Sequence, residues 1–337
     1  MIKKILVLFI AIVVVFIATG IYFYSKLNDN IGSEKIVEMP KNASVSLVVD
    51  TFNDNDLLEP GWLFIFYLKF YTMVYDDIRI HPGVYKFTAD NTNLDIIKAV
   101  FSGQQRYVVK ITYPEGITLA GFAAITAHYL GIDSADFVNY CNSPQILKKY
   151  GIRAKNAEGY LFPDTYNFYY NVTAGQVCDK LLKQFDKVWN DIVSKHKKDL
   201  NLNKHQILTL ASIIEAETPV AKERPIVAGL YINRLRIGMK LDADPTVRYA
   251  LKNKKKRLTY RDLKVNSPYN TYVHKGLPPG PICSPGKTAI EAVFNHKKHN
   301  YLYFVAKGDG SREHYFTGSY NQHLNNRRRY KYNKKMN

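Results

Sequence analysis

The 337-residue chain has only three cysteines, Cys141, Cys178 and Cys283, widely separated and without a C-x-x-C pair. An odd count at that spacing specifies no disulfide framework and no thiol-based zinc or redox motif, so the three are expected to pack as small apolar residues. There is no G-x-S-x-G stretch, which removes the nucleophile elbow of the α/β-hydrolases. His296-Lys-Lys-His299 lacks the glutamate and the spacing of H-E-x-x-H, and nothing else in the sequence clusters as metal ligands. Gly280 to Thr288, G-P-I-C-S-P-G-K-T, imitates a P-loop with one residue too many between its glycines. Pro281 and Pro285 also remove N–H groups that would cradle phosphate. Ser284-Pro285 is better read as the cap and first turn of a helix that continues through residues 290–294.

Acidic side chains are scarce too. Asp and Glu number 29 against 47 Lys and Arg, a net charge of +18. Part of the excess lies in Arg327-Arg328-Arg329-Tyr330-Lys331-Tyr332-Asn333-Lys334-Lys335 and part in residues 254–257. Interleaved Arg and Tyr in a cytosolic protein would suggest nucleic acid. Outside a membrane the available polyanions are lipid headgroups and cell-wall polymers bearing carboxylates. A solvated basic surface with a frayed tail explains the same charge with no partner at all.

Long apolar runs are limited to one. Residues 5–24 carry no charge and follow the basic start Met1-Ile-Lys-Lys4. About 20 apolar residues cross ~30 Å of hydrocarbon as one helix, and the run exceeds the usual ~7–15-residue core of a cleavable signal. A retained anchor is therefore expected, although Ala18-Thr19-Gly20 imitates a weak cleavage site. Lys3 and Lys4 before the span, against Lys26 after it, favour a cytoplasmic N-terminus and an exported body.

The body reads as α+β, because strands and helices do not alternate as in a wound parallel sheet. Residues 25–40 look like a polar connector. Val45, Leu47 and Val49 alternate as a strand would, and residues 81–88 read as a turn and strand. Thr92-Asn-Leu-Asp95 resembles a capping box before a helix over 94–101, stopped by Ser102-Gly103. Residues 106–113 alternate into another strand. The chain is then mainly helical from 119 to 210, interrupted by an irregular aromatic segment at 158–169. A helix opening near Pro225 and ending at Gly238 follows, with Ile226, Leu230, Arg234 and Ile237 on one face. Residues 301–306 and 314–317 flank Gly308-Asp-Gly-Ser311 as a hairpin.

The most informative stretch is Ile207 to Thr218, I-L-T-L-A-S-I-I-E-A-E-T, an apolar helix ending in two carboxylates before Pro219. At ~100° per residue, Ile207, Leu210, Ala211 and Ile214 share a face. Glu217 projects between Leu210 and Ile213, Glu215 between Leu208 and Ala211, while a solvated acid would sit near Thr209 and Ala216. Apolar neighbours disfavour the charged carboxylate, the condition for a general acid at neutral pH. A helix end whose last residues turn out to solvent fits the same pattern.

Leu210-Ala-Ser-Ile-Ile-Glu-Ala-Glu-Thr218, Glu223-Arg224, Tyr231-Ile-Asn-Arg-Leu-Arg-Ile-Gly-Met239 and Asp244-Pro-Thr-Val247 together resemble the catalytic core of the endolytic murein transglycosylases. Further signatures of that family recur in order: Tyr113-Pro-Glu-Gly116, Glu158-Gly-Tyr-Leu-Phe-Pro-Asp-Thr-Tyr166, Ser267-Pro-Tyr-Asn-Thr-Tyr272, Gly276-Leu-Pro-Pro-Gly280 and Tyr301-Leu-Tyr-Phe-Val305. The resemblance runs from residue 1 to about 323, departing from the family pattern at Pro225 and in the basic tail after Asn325. It implies a single-pass enzyme of the inner (cytoplasmic) membrane with a periplasmic or extracytoplasmic body. The expected parts are a cytoplasmic start (1–4), anchor (5–24), linker (25–40), small LysM-like lobe (41–110), larger mixed α/β catalytic domain (111–324) and basic tail (325–337). The family's catalytic acid falls on Glu217, and no metal or organic cofactor is required. Glu158, Asp164 and Asp244 could bind sugar hydroxyls or, for Asp164, stabilise oxocarbenium charge, although Asp164 and Asp244 also suit turns and caps. Asn233 and Arg234 could bind acetamido or carboxylate groups, or Arg234 could pair with Glu215 or Glu223. Tyr269, Asn270 and Tyr272 suit sugar stacking or a scaffold, Glu115 a structural role, and Glu215 a role supporting Glu217.

The partners so implied are peptidoglycan glycan strands, the membrane and peptidoglycan synthases, with no nucleic acid. Two other functions compete. One is a lysozyme-type hydrolase using Asp164 or Asp244 as a second carboxylate. The other is a catalytically silent, membrane-anchored wall-binding scaffold, which has no use for an acid held among apolar side chains.

Overall fold

The structure is a computed structural model that describes residues 2–58, 61–74, 80–196, 201–252 and 258–336. The basic cluster at 254–257 lies outside the described residues. The chain divides into two compact units, Met1–Lys110 with Asn167–Val172, and Ile111–Tyr166 with Thr173–Asn337.

The first unit opens with helix α1 (Ile2–Asn28). Its Lys3–Asn28 stretch is long and apolar enough to cross a membrane, with mean hydropathy 3.0 over its most apolar 18 residues. Strand β1 (Lys35–Met39) lies inside the segment read as a connector and pairs antiparallel with β2 (Gly83–Phe87), Lys35 opposite Phe87 and Met39 opposite Gly83. Between them run α2 (Val45–Asn53) and α3 (Gly61–Val74). The alternation of Val45, Leu47 and Val49 therefore belongs to a helix, not a strand. Ser44 caps it by accepting the Leu47 N–H, and Val48, Val49 and Phe52 form its buried face. Helix α4 (Asn93–Ser102) has the capping box expected of Thr92 and Asp95 and stops at left-handed Gly103.

Strand β3 (Val108–Thr112) pairs with β4 (Thr165–Tyr169), which orders part of the aromatic segment read as irregular. Helices α5 (Leu119–Leu130), α6 (Ser134–Cys141), α7 (Pro144–Lys149) and α8 (Ala174–Lys195) build one side of the second unit. At its centre is α9 (Lys204–Glu217), packed against α10 (Arg224–Arg236), α11 (Asp244–Ala250) and α12 (Lys287–Phe294). Every residue of α9 from Ile207 to Ile214 is buried, so the side that the wheel gives to solvent is covered at Thr209 and exposed only at Ala216 in the last turn. Thr209 and Ser212 satisfy their hydroxyls on the carbonyls of His205 and Thr209, both at 2.8 Å.

Helix α12 begins two residues later than Ser284-Pro285 predicts, with Gly286 as its N-cap. Strands β5 (Tyr303–Ala306) and β6 (His314–Thr317) form the expected hairpin, and α13 (Tyr320–Met336) follows. The basic tail is thus helical, not frayed. Asn326 is buried, and Asn333 ties the last turns to the Lys307 carbonyl at 2.8 Å. All three cysteines are free and buried.

Candidate active site

Helix α9 ends at Glu217 because Thr218 turns extended and Pro219 follows. The carboxyl so placed lines a cleft of about 960 Å³ in the second unit. Burial pushes its pKa up from 4.5 to about 7, with the nearby charge of Asp244 acting in the same direction. The negative end of the α9 dipole also disfavours a carboxylate there. Tyr231 of α10, fully buried, donates its hydroxyl to Glu217 Oε1 at 3.0 Å and pulls the other way, favouring the ionised form. The hydrogen bond also holds one of the two carboxyl oxygens in place.

Glu158, Asp244 and Tyr269 line the same cleft. Glu158 Oε1 accepts the Leu119 N–H at the start of α5 (2.9 Å), and Oε2 accepts the Tyr249 hydroxyl (3.4 Å). Burial raises Glu158 to about 7, against those hydrogen bonds. The Tyr249 ring lies 4.8 Å from that of Tyr269. Asp244 opens α11 and accepts the Tyr272 hydroxyl on Oδ1 at 2.7 Å. Glu215 points instead into a buried cluster, where Oε1 pairs with Arg224 at 2.5 Å and Oε2 accepts the Gly286 N–H at 3.0 Å.

The other sequence candidates serve the scaffold. Asn233 donates to the carbonyls of His299 (2.6 Å) and Tyr301 (3.2 Å). Arg234 does not pair with Glu215 or Glu223; its guanidinium donates to the carbonyls of Leu302 and Leu241, both at 2.7 Å, and lies 3.8 Å from Asp242. Asn270, fully buried, holds the carbonyls of Leu263 and Val265. Asp164 is exposed and outside the cleft lining, accepting the Thr165 N–H at 2.7 Å and the Gln184 amide at 3.2 Å. Glu115 sits 3.7 Å from Arg224. Sequence reasoning assigned no role to Tyr231, Arg224, Arg248 or Tyr249. Two of these fix the paired glutamates and the other two line the cleft. Among the described residues no three His, Cys, Asp or Glu side chains converge as a metal site.

A single carboxyl with a pKa near 7 in a cleft can both give and take a proton. Removing the Tyr231 hydroxyl takes away a bond that favours the ionised form, so Glu217 must titrate higher. Tyr231→Phe is expected to move the alkaline limb of the activity profile to higher pH, measured as kcat/KM against pH. A limb that stays put or moves to lower pH would dissociate Tyr231 from the titrating group.

The YceG-like family model matches residues 37–329. The chain is 32% identical to a protein of Bacillus subtilis (strain 168) named endolytic murein transglycosylase, over 87% of this chain and 84% of that one. It is 28% identical to a protein of the same name from Streptococcus pneumoniae serotype 2 (strain D39), over 90% of this chain and 61% of the longer relative. The crystal structure of a putative YceG-like protein from Listeria monocytogenes superposes with a TM-score of 0.58 at 31% identity, covering 87% of this chain and 99% of that one.

Proposed function

Because this chain belongs to the YceG-like family, we propose that it is an endolytic murein transglycosylase, a lyase that cuts peptidoglycan glycan strands within their length. The observation that carries the residue-level reading is Glu217, a carboxyl in the cleft whose burial raises its pKa to about 7. At neutral pH a sizeable fraction is protonated and can protonate the bridging oxygen of the MurNAc–GlcNAc β-1,4 bond as the bond from C1 breaks. The GlcNAc side leaves as an alcohol. The carboxylate then takes the proton of the MurNAc C6 hydroxyl as that oxygen attacks C1. The 1,6-anhydro ring closes, the acid is restored, and no water is consumed. Attack from within the same sugar benefits from effective molarities on the order of 10⁵–10⁸ M. Asp244, which lines the cleft, would offset positive charge on the ring in the transition state, and Tyr249 and Tyr269, also in the lining, would stack against neighbouring sugars.

We propose further that α1 is a retained single-pass anchor with its N-terminus in the cytoplasm, holding the body outside the membrane where strands emerge from peptidoglycan synthases. The length and hydropathy of Lys3–Asn28 support this reading. The first unit would act as the LysM-like holder of the strand.

Uncrosslinked glycan strands digested by the purified chain are expected to yield fragments of many lengths ending in anhydro-MurNAc, read by mass spectrometry. Reducing MurNAc ends would make water the nucleophile and the enzyme a hydrolase. Release of anhydro-disaccharides alone would make it exolytic. Asp164→Asn should leave rate and product unchanged, since its carboxyl is engaged outside the cleft; loss of activity would restore it as a second catalytic carboxylate.

A further inference from the structure

Helix α3 is apolar on every side, with Lys69 its one charged residue. A helix of that composition needs apolar cover all round. Phe64 and Leu68 take theirs from the core of the first unit. The stripe formed by Trp62, Ile65, Phe66 and Met73 is left largely uncovered among the described residues, with exposures of 64, 37, 68 and 84%. Spacings of three, four and seven residues put these four on one face together with Lys69, whose apolar stem is long enough to carry its ammonium to the level of the headgroups. The same helix touches α1, with the Tyr67 ring 5.8 Å from that of Phe23. Phe23 and Tyr67 pack on the core that also contains Leu27. Phe23 lies one residue before the end of the uncharged run 5–24, which at ~1.5 Å per residue spans about 30 Å. That places Phe23 where hydrocarbon gives way to headgroups, the level at which aromatic side chains such as Tyr22 and Tyr24 collect. Contact with Phe23 brings α3 to the same depth.

We propose that α3 is an interfacial helix whose Trp62–Ile65–Phe66–Met73 stripe inserts into the outer leaflet of the membrane that α1 crosses. The occupant of this face is the lipid surface, and the inference rests on α1 being a retained anchor. A second attachment beside the anchor fixes the tilt of the first unit on the bilayer, where a single helix would let it swing.

The full-length chain reconstituted in phosphatidylethanolamine–phosphatidylglycerol vesicles tests this. Trp189 is the other tryptophan, so subtracting the emission of Trp62→Phe from that of the unsubstituted chain isolates Trp62 without touching the core. The expected difference spectrum is blue-shifted, loses most of its intensity when the acyl chains are brominated, and is unaffected by iodide on both sides. Flotation with the vesicles reports α1 separately. A chain that floats while Trp62 emits as in water and is quenched by iodide overturns the proposal alone, including the case in which a protein partner normally covers the stripe. A chain that does not float overturns the anchor and the interfacial helix together.

Discussion

Glu217→Gln is expected to lower glycan cleavage at least ~10²-fold while making the protein more resistant to heat above neutral pH. The activity loss follows from removing the transferable proton while keeping size and the Tyr231 hydrogen bond. The stability gain follows from linkage. Glu217 titrates at about 7 in the folded chain against 4.5 as an ordinary carboxyl. A group with a raised folded pKa contributes its full stability below the unfolded value and loses it as pH rises through the folded one. Between pH 4.5 and about 7 the unsubstituted chain therefore gives up roughly 3 kcal/mol at this position. The neutral amide gives up none. Melting curves at pH 4 and pH 8 should coincide for the two proteins at the lower pH and separate at the higher, with Glu217→Gln melting later. Glu215→Gln should be less damaging to cleavage. A fully active Glu217→Gln beside a dead Glu215→Gln would move the catalytic acid by half a helical turn.

What the sequence disclosed and what it hid divide by range. The Thr92–Asp95 capping box, the Gly103 stop and the Gly308–Ser311 turn are local, and each is where the residue types require it. A carboxyl beside the apolar arc of α9 was legible on the helical wheel, but an end turned out to solvent fits the same pattern, and it takes the packing of α10 on α9 to separate the two. Five residues of alternation at Val45–Val49 could not separate strand from helix. The decision came from the Ser44 cap and from Phe52, one turn further on. Asn233 and Arg234 look like ligand-binding residues, yet they are spent on backbone carbonyls 66 to 68 residues away. No local pattern announces such a partner. Tyr231 was hidden for the same reason. Its hydroxyl meets Glu217 only because α10 packs on α9.

Arg224→Met is expected to lower the melting temperature of the second unit at pH 8 by roughly 6–20 °C, the equivalent of about 3–5 kcal/mol. The Arg224 and Glu215 side chains are 7 and 8% exposed and meet at 2.5 Å, with Arg224 also donating to Thr288. Without the guanidinium, Glu215 is a buried carboxylate held only by the Gly286 N–H. Burial already raises its pKa and Arg224 lowers it, so the substitution must raise it further. The deficit should therefore be small near pH 3.5, below the ordinary carboxyl value of 4.5, where the carboxyl is mostly protonated in folded and unfolded chains alike, and grow as pH rises. Arg224→Met combined with Glu215→Gln removes the uncompensated charge and should recover most of the loss. A deficit that is the same at both pH values, and that the double substitution does not relieve, would show that Arg224 acts by packing against Thr288 and α12. The pH-dependent outcome carries a consequence for catalysis, because Glu215 and Glu217 share the last turn of α9. An unpaired Glu215 charge is relieved by moving that turn toward water, which carries Glu217 away from Tyr231. Single-substitution protein that is still folded at low temperature should thus lose kcat more than KM, and the double variant should regain it.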